Sequence, residues 1–333
     1  MRAPAFWTIR HGRDAAPMLR ALLSPLGWLY GASVARRLAK ATPLQLTIPV
    51  VSLGNISLGG TGKTPLAHLI RAELSALLAS PVAIVSRGYG GSLEGPLLVD
   101  PSRHSANEVG DEPLMLAADG PVIVAKDRRA GGQLAVRLGM KAVVLDDAHQ
   151  NPALAKDLSI VVVDGQTGFG NGYIVPAGPL REPATKGLVR ADLIILMGPV
   201  SDDTQDDLAQ YNGLTLCAEL VPEPIDIKGK VLGFCGIGRP EKFDATLRGL
   251  GLDVVDMYPF PDHHPYSASD LKRLSARAAQ EGVSLVTTQK DFVRLPADFA
   301  QHVRVIPVTT RMSDPATLRQ KLALTLDTVA QRP

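Results

Sequence analysis

The stretch SLGGTGKTP (57–65) sets a lysine and a hydroxyl residue directly behind a glycine-rich turn, an arrangement suited to binding phosphate. In the pattern GxxxxGK[ST], consecutive backbone N–H groups wrap the phosphates, the lysine reaches the outer ones and the hydroxyl ligates Mg²⁺. Gly59, Gly60, Thr61 and Gly62 would form the backbone cradle, with Lys63 as the cation and Thr64 as the metal-ligating hydroxyl. Ser57 stands where the first glycine of the pattern belongs. A second candidate is KAVVLDDAHQ (141–150), where four apolar residues put Asp146 and Asp147 at a strand end. One carboxylate there can hold Mg²⁺ directly or through water while the other orients the first. A doubled aspartate also commonly starts a helix or turn, so the metal reading leans on the glycine loop. Together the two stretches imply a nucleoside triphosphate with its Mg²⁺.

Such residues work only if the chain holds them at the right ends of its elements. TIPVVSLGN (47–55) reads as a buried strand and PLAHLIRAELSALL (65–78) as a helix. Leu66, Leu69, Ile70, Leu74, Leu77 and Leu78 keep helical spacing, and Pro65 suits a first turn. A strand, a glycine turn and a helix N-terminus concentrate N–H donors and positive dipole on an anion. Further β-branched runs lie at 82–88, 120–126, 141–147, 158–165 and 191–198. With helices between them they predict a parallel sheet covered on both faces. Ligands of such sheets gather at the strand C-terminal ends, where Arg87, Lys126, Asp146 and Asp147 fall. After the proline-rich connector VPEPIDIKGK (221–230), KVLGFCGIG (230–238) repeats the strand and glycine-turn design. A helix from about 240 to 250 and strands at 252–258, 284–291 and 303–309 follow. The expected class is α/β, a P-loop NTPase-like, mostly parallel sheet with a second, smaller α/β domain. Its expected division is a helical segment at 1–40, a nucleotide-binding core at 41–213, a linker at 214–230 and the smaller domain at 231–333.

A chain of 333 residues with 45% hydrophobic and 20% charged residues is globular, and a net charge of +2 gives no ground for nucleic acid as a partner. Cys217 and Cys235 are the only cysteines, without zinc-ligand spacing, so a reducing compartment and no structural disulfide are expected. The first forty residues differ in kind, with Arg2, Arg10, Arg13, Arg20, Arg36, Arg37 and Lys40 against Asp14 alone. Between those charges, MLRALLSPLGWLYGASVA (18–35) carries Leu19, Leu22, Leu23, Leu26, Leu29, Tyr30 and Val34 on one helical stripe, interrupted at Pro25. Arg20, Pro25 and Gly27 spoil it as a bilayer span, which needs about twenty apolar residues. Three readings stand: an interfacial helix on an anionic membrane, a helix packed on the protein surface, and a secretory signal ending at SVA (33–35). Export would separate the loop from its nucleotide, and the interfacial helix is the expectation.

The remaining polar clusters carry a resemblance. They are VSRGYGG (85–91), NEVGDEPLMLA (107–117), GFGNG (168–172), PAGPLREP (176–183), FCGIGRPEKF (234–243), FPDHHPYS (260–267) and TTQKD (287–291). In this order they closely resemble the tetraacyldisaccharide 4′-kinase family of the lipid A pathway, from about Arg2 to the final strands. GNISLGGTGKTP (54–65) answers to that family's GNxxxGGTGKTP, which does not require the first loop glycine. The resemblance implies ATP and Mg²⁺, transfer of the γ-phosphoryl group to the 4′-hydroxyl of an acylated glucosamine disaccharide 1-phosphate, and an active site between two α/β lobes. It also implies a peripheral enzyme on the cytoplasmic face of the bacterial inner membrane. No obligate protein partner is expected.

The same resemblance places Asp111 of GDEP as the carboxylate that accepts the sugar proton or orients the hydroxyl, and His263 of PDHHPY as its support, raising its basicity. Spacing does not choose between His263 and His264; the family motif favours the first. Arg87, Arg129 and Arg181 lie in family motifs as candidates for phosphate or substrate contacts, against the alternative of ordinary surface ion pairs. Asp262, Lys290 and Asp291 are secondary candidates, with a structural role in the smaller lobe as the alternative. Where the family usually reads DDGFQ, this chain reads DDAHQ, so His149 is either an added ligand or acid, or a packing substitute for the aromatic.

Two rival classes share the loop. Partition and targeting ATPases carry a second lysine just before the paired glycines, where this chain has Leu58, and they do not account for GDEP or PDHHPY. A soluble small-molecule kinase does not account for the basic amphipathic N-terminus.

Overall fold

The computed structural model describes residues 4–227 and 229–332. Arg2, counted in the N-terminal charge, and Lys228, in the connector, lie outside the described residues. The first half of the chain runs α1 (Pro17–Lys40), β1 (Val50–Gly54), α2 (Lys63–Leu78), β2 (Val82–Ser86), β3 (Leu97–Leu98), α3 (Ala106–Val109), α4 (Asp111–Ala117), β4 (Val122–Val124), α5 (Arg128–Arg137) and β5 (Ala142–Leu145). Then come β6 (Leu158–Asp164), α6 (Ala184–Leu188), β7 (Leu193–Met197), α7 (Asp202–Leu208) and β8 (Leu214–Pro222). The remainder is β9 (Lys230–Cys235), α8 (Pro240–Gly249), β10 (Asp253–Pro259), α9 (Ala268–Glu281), β11 (Ser284–Thr288), α10 (Gln289–Phe292), α11 (Ala297–Ala300), β12 (Val303–Ile306), β13 (Val308–Met312) and α12 (Pro315–Ala330).

Nine strands form one sheet in the order β13-β8-β7-β6-β1-β5-β2-β4-β3. Neighbours from β8 to β4 pair in parallel, and only the edge strands β13 and β3 run antiparallel. Every residue of β1, β2, β5, β6 and β7 is buried, as expected where helices cover both faces of a parallel sheet. β1 is the pivot: the chain leaves it for β2 on one side, while β6, β7 and β8 build the other. Ligands of open α/β sheets bind outside the strand ends at such a switch point, and the glycine-rich turn follows β1 directly.

The helical spacing after that turn meets its expectation. Leu66, Ile70 and Leu74 of α2 are fully buried against Val51, Leu53 and Ile84, with Leu69, Leu77 and Leu78 packed at the margin. Each such side chain contributes roughly 1.5–3 kcal/mol by leaving water. Truncating Ile70 to alanine would cost about 2–5 kcal/mol.

A second, four-stranded sheet in the order β10-β9-β11-β12 is wholly parallel. The strand expected at 303–309 is two strands: β12 joins this small sheet, and β13 crosses back to pair with β8 at the edge of the large one. The residues expected as a linker at 214–230 likewise begin with β8, nine residues paired with β7 on one side and β13 on the other. The smaller lobe is therefore an excursion from the large sheet, entered after β8 and left before β13. α12 completes the return by burying Leu318 and Leu322 in the main core.

The N-terminal helix also differs from its expectation. α1 runs unbroken through Pro25, and its buried residues are Gly27, Gly31 and Val34, so of the expected stripe only Val34 is buried. A Cβ at Gly27 would come within 2.8 Å of the Ile174 carbonyl oxygen, so only glycine admits this approach. Trp7 Nε1 donates to Pro176 O at 3.1 Å, and the Arg20 guanidinium lies over the Tyr173 ring. The segment 171–180 is thus the seat of α1.

Candidate active site

The turn after β1 is held from outside. Leu58 N–H donates to Pro179 O at 2.7 Å and Arg181 N–H to Ile56 O at 2.8 Å, a short ladder alongside Ser57 and Leu180. This pairing sets the course of the chain where the usual first glycine is missing. Gly59 and Gly60 are exposed, with open space where a Cβ would stand. Gly62 caps α2 with φ +77°, the left-handed region that glycine enters without strain. The first N–H groups of α2 have no partner within the helix and face this turn with the positive end of the dipole. Thr61 Oγ1 is buried without a hydrogen-bond partner.

Asp147 meets this turn from the end of β5. Its carboxylate lies 3.6 Å from Lys63 Nζ and 3.0 Å from Arg181 Nη1. Burial pushes the Asp147 carboxyl up, but Lys63 and Arg181 outweigh it and hold it below the usual carboxylate range. Asp147 also adopts φ +47°, costing about 1 kcal/mol or more for a residue with a Cβ. Asp146 is buried behind it and accepts from Ser86 Oγ at 3.3 Å. Burial raises its carboxyl to about 6, Glu112 and Asp147 adding to the effect and Lys63 opposing it.

Of the three expected arginines only Arg181 has a site carboxylate as partner. Arg87 is exposed just past the end of β2. Arg129 is turned away, with its guanidinium on the carbonyl oxygens of Thr42 and Ala153. Its neighbour Arg128, which the sequence reading passed over, is buried and donates to Ala125 O at 2.6 Å and Asp146 O at 3.0 Å. Successive helical residues point about 100° apart, so one of an arginine pair goes in when the other goes out. The run DRR at a helix start was the available signal.

The second cluster joins the two sheets. Gly110, at φ +91°, turns the chain so that Asp111 opens α4 and is buried. Asp111 Oδ2 lies 2.8 Å from Nδ1 of His263, which sits at φ +58° in the smaller lobe. Arg294 Nε is 3.3 Å from the same oxygen and its Nη2 is 2.6 Å from Asp291 Oδ1. His264 faces its own lobe, 3.0 Å from Asp270 and stacked on Phe260. Asp291 is fully buried, accepting from Gly236 N–H, Tyr266 Oη and Thr288 Oγ1, which makes it a structural hub. The expected rise in Asp111 basicity is reversed: burial pushes the carboxyl up, but His263, Arg294 and Lys290 together hold it below the usual range. Arg294 was missed, although it follows Lys290 by four residues, one helical turn. A second tie between the lobes runs from Arg239 Nη2 to Asp164 Oδ2 at 2.5 Å.

The donor set suits a triphosphate and a hard cation: a glycine cradle with room beside it, a lysine, an unpartnered buried hydroxyl and two carboxylates. Mg²⁺ is held in nucleotide sites by one or two carboxylates plus phosphate oxygens, not by an all-protein cage. Among the described residues no group of three or more His, Cys, Asp or Glu side chains is placed to hold a metal by itself. Asp146, Asp147 and Thr64 could supply the protein's share.

A mostly parallel sheet with a glycine turn at its switch point, beside a second α/β lobe, defines a nucleotide-binding protein of the α/β class. The family model for tetraacyldisaccharide-1-P 4′-kinase matches residues 19–327, and the chain belongs to this family. It is 49% identical over 332 residues to the tetraacyldisaccharide 4′-kinase of Rhodospirillum centenum, covering 97% of this chain and 96% of that one. The enzyme of that name from Methylorubrum extorquens is 48% identical over 329 residues, covering 97% and 98%. Among solved structures, LpxK from Aquifex aeolicus in complex with ATP superposes with a TM-score of 0.76 at 28% identity, covering 92% of this chain and 99% of that one.

Proposed function

We propose that this chain transfers the γ-phosphoryl group of ATP to the 4′-hydroxyl of an acylated glucosamine disaccharide 1-phosphate, forming lipid IVA. The observation that carries this reading is the contact of Asp111, in the lobe of the glycine turn, with His263 of the smaller lobe. Ser86, which donates to Asp146 at 3.3 Å, ends the strand whose continuation at Gly88 and Tyr89 runs against Gly110 beside Asp111, so the carboxylate cluster and the phosphate turn border one cleft. Gly59 to Thr64 cradle the triphosphate, and Lys63 compensates charge on the group in flight. Arg181 holds Asp147 in place, while Arg87 stands at the strand edge where a phosphate or the acceptor would pass. Mg²⁺, held by Asp146 or Asp147 with Thr64, would supply neutralisation of the β- and γ-phosphate oxygens. Asp111 orients the acceptor hydroxyl and takes its proton as the P–O bond forms.

The glycolipid acceptor reaches this cleft from a membrane. Leu22, Trp28 and Leu29 of α1 are 75%, 72% and 70% exposed while glycines pack the opposite face. Arg36, Arg37 and Lys40 continue the same helix. Among the described residues no helix is long and apolar enough to cross a membrane. These features support a helix lying in the headgroup region of an anionic surface, at the cytoplasmic face of the bacterial inner membrane. Neither nucleic acid nor an obligate protein partner enters this reading. The test is product analysis with γ-labelled ATP: label in a chloroform-soluble glycolipid supports it. Release of phosphate alone would indicate a switch ATPase, and a water-soluble labelled product a small-molecule kinase.

A further inference from the structure

His263 has two ring nitrogens, and each has a neighbour. Nδ1 is 2.8 Å from Asp111 Oδ2, and Nε2 is 3.1 Å from Lys290 Nζ. An ammonium group only donates, so Nε2 accepts, and the proton of the neutral ring sits on Nδ1, aimed at Asp111. The competing acceptor for an Nε2 proton is Asp262, whose Oδ1 is 3.9 Å away, beyond hydrogen-bond reach. Lys290 itself is held between Asp262 at 3.5 Å and Glu112 at 3.6 Å, one carboxylate from each lobe. The remaining neighbours are Arg294, on the Asp111 side, and the edge-on ring of Tyr89. Both His263 and Arg294 engage Oδ2 of Asp111.

We propose that Lys290 is a positioning residue that fixes His263 as the neutral, Nδ1-protonated tautomer and thereby presents Oδ1 of Asp111 to the acceptor hydroxyl. The inference rests on the kinase reading above for its catalytic consequence. In the transfer, the 4′-O–H bond breaks and its proton moves to Asp111 Oδ1 as the new O–P bond forms. The bond from the γ-phosphorus to the bridging oxygen breaks, its electron pair leaving with ADP. The proton then goes from Asp111 to solvent after product leaves. It does not pass through His263, because the ammonium of Lys290 occupies the only free ring nitrogen.

The test uses the full-length chain labelled with ¹⁵N-histidine, with His263→Gln to assign the ring signals in long-range ¹H–¹⁵N spectra. The wild type should show His263 protonated at Nδ1 and bare at Nε2. Lys290→Met should populate the other tautomer and lower kcat by about ten- to a hundredfold, less than the ~10²–10⁴ of general-base catalysis as a whole. KM for ATP should be unchanged, and Lys290→Arg, still a donor, should restore the tautomer and most of kcat. A wild-type ring protonated at Nε2 overturns the proposal by itself, whether or not the variants fold. So does a Lys290→Met protein that keeps the Nδ1 tautomer and wild-type kcat. Failure of the wild type to label a glycolipid would overturn the kinase reading and the catalytic consequence with it, whereas the tautomer is read without substrate.

Discussion

His149 Nε2 donates to the carbonyl oxygen of Gly187 at 3.0 Å, two residues beyond the carboxylate that meets Lys63. Its Nδ1 accepts from Ser159 Oγ at 3.3 Å, so the ring spans β6 and α6 as a buried packing group, not an acid or ligand facing the phosphates. Burial lowers the imidazole to about 3, with Lys156 and Arg190 adding to the effect. The unfolded chain binds a proton here near 6.5 and the native chain does not, so this group costs stability as pH falls from 6.5 toward 3. His149→Phe abolishes that dependence but strands the buried Ser159 hydroxyl, while the Gly187 carbonyl keeps the Arg190 N–H, at a cost of about 1–3 kcal/mol. The variant should therefore be less stable than wild type at about pH 8, with a deficit that shrinks toward about pH 5. Its kcat should stay near wild type. Denaturant melts showing a constant or growing deficit would reject this account.

Asp111→Ala should depress kcat by roughly 10²–10⁴-fold with little change in KM for ATP. His263→Ala should lose less, and the double variant should match Asp111→Ala, because the two residues act as a unit. Strictly additive losses in steady-state kinetics would show independent roles.

Lys63→Ala should lower turnover by roughly 10²-fold or more while leaving the fold intact. Ser57→Gly should change turnover little, since the hydrogen bonds to Pro179 and from Arg181 already direct the loop. Near-normal phosphoryl transfer by Lys63→Ala would remove this loop from the reaction.

Flotation with anionic vesicles tests the N-terminal helix. Leu22→Glu combined with Leu29→Glu changes two exposed side chains without touching the glycine face, and should release much of the protein. Arg36, Arg37 and Lys40 would each add about 1 kcal/mol on anionic lipid, so high salt should weaken wild-type binding without abolishing it. KM for a bilayer-embedded acceptor should rise more than for one dispersed in detergent. Wild-type protein that never floats would return α1 to the role of a packed surface helix.

What could be read in the sequence was whatever depends on spacing along one element. The buried runs at 50–54, 82–86 and 158–164, the helical stripe of α2 and the carboxylates at the end of β5 all follow from periods of 2 and 3.6 and from which residues end a strand. The family motifs likewise named Asp111 and His263. The structure decided what depends on packing between distant segments. Asp111 and His263 are 152 positions apart, and no local rule says which of two adjacent histidines reaches across, or that Arg294 joins them. Arg128 goes inward and Arg129 outward because the sheet covers only one side of α5. The crossing of β13 back to the large sheet depends on an open edge at β8, which exists only once the rest of the sheet has formed. Glycines, not leucines, pack α1 because the backbone at Ile174 comes close enough to exclude any side chain, a distance that only the assembled fold sets.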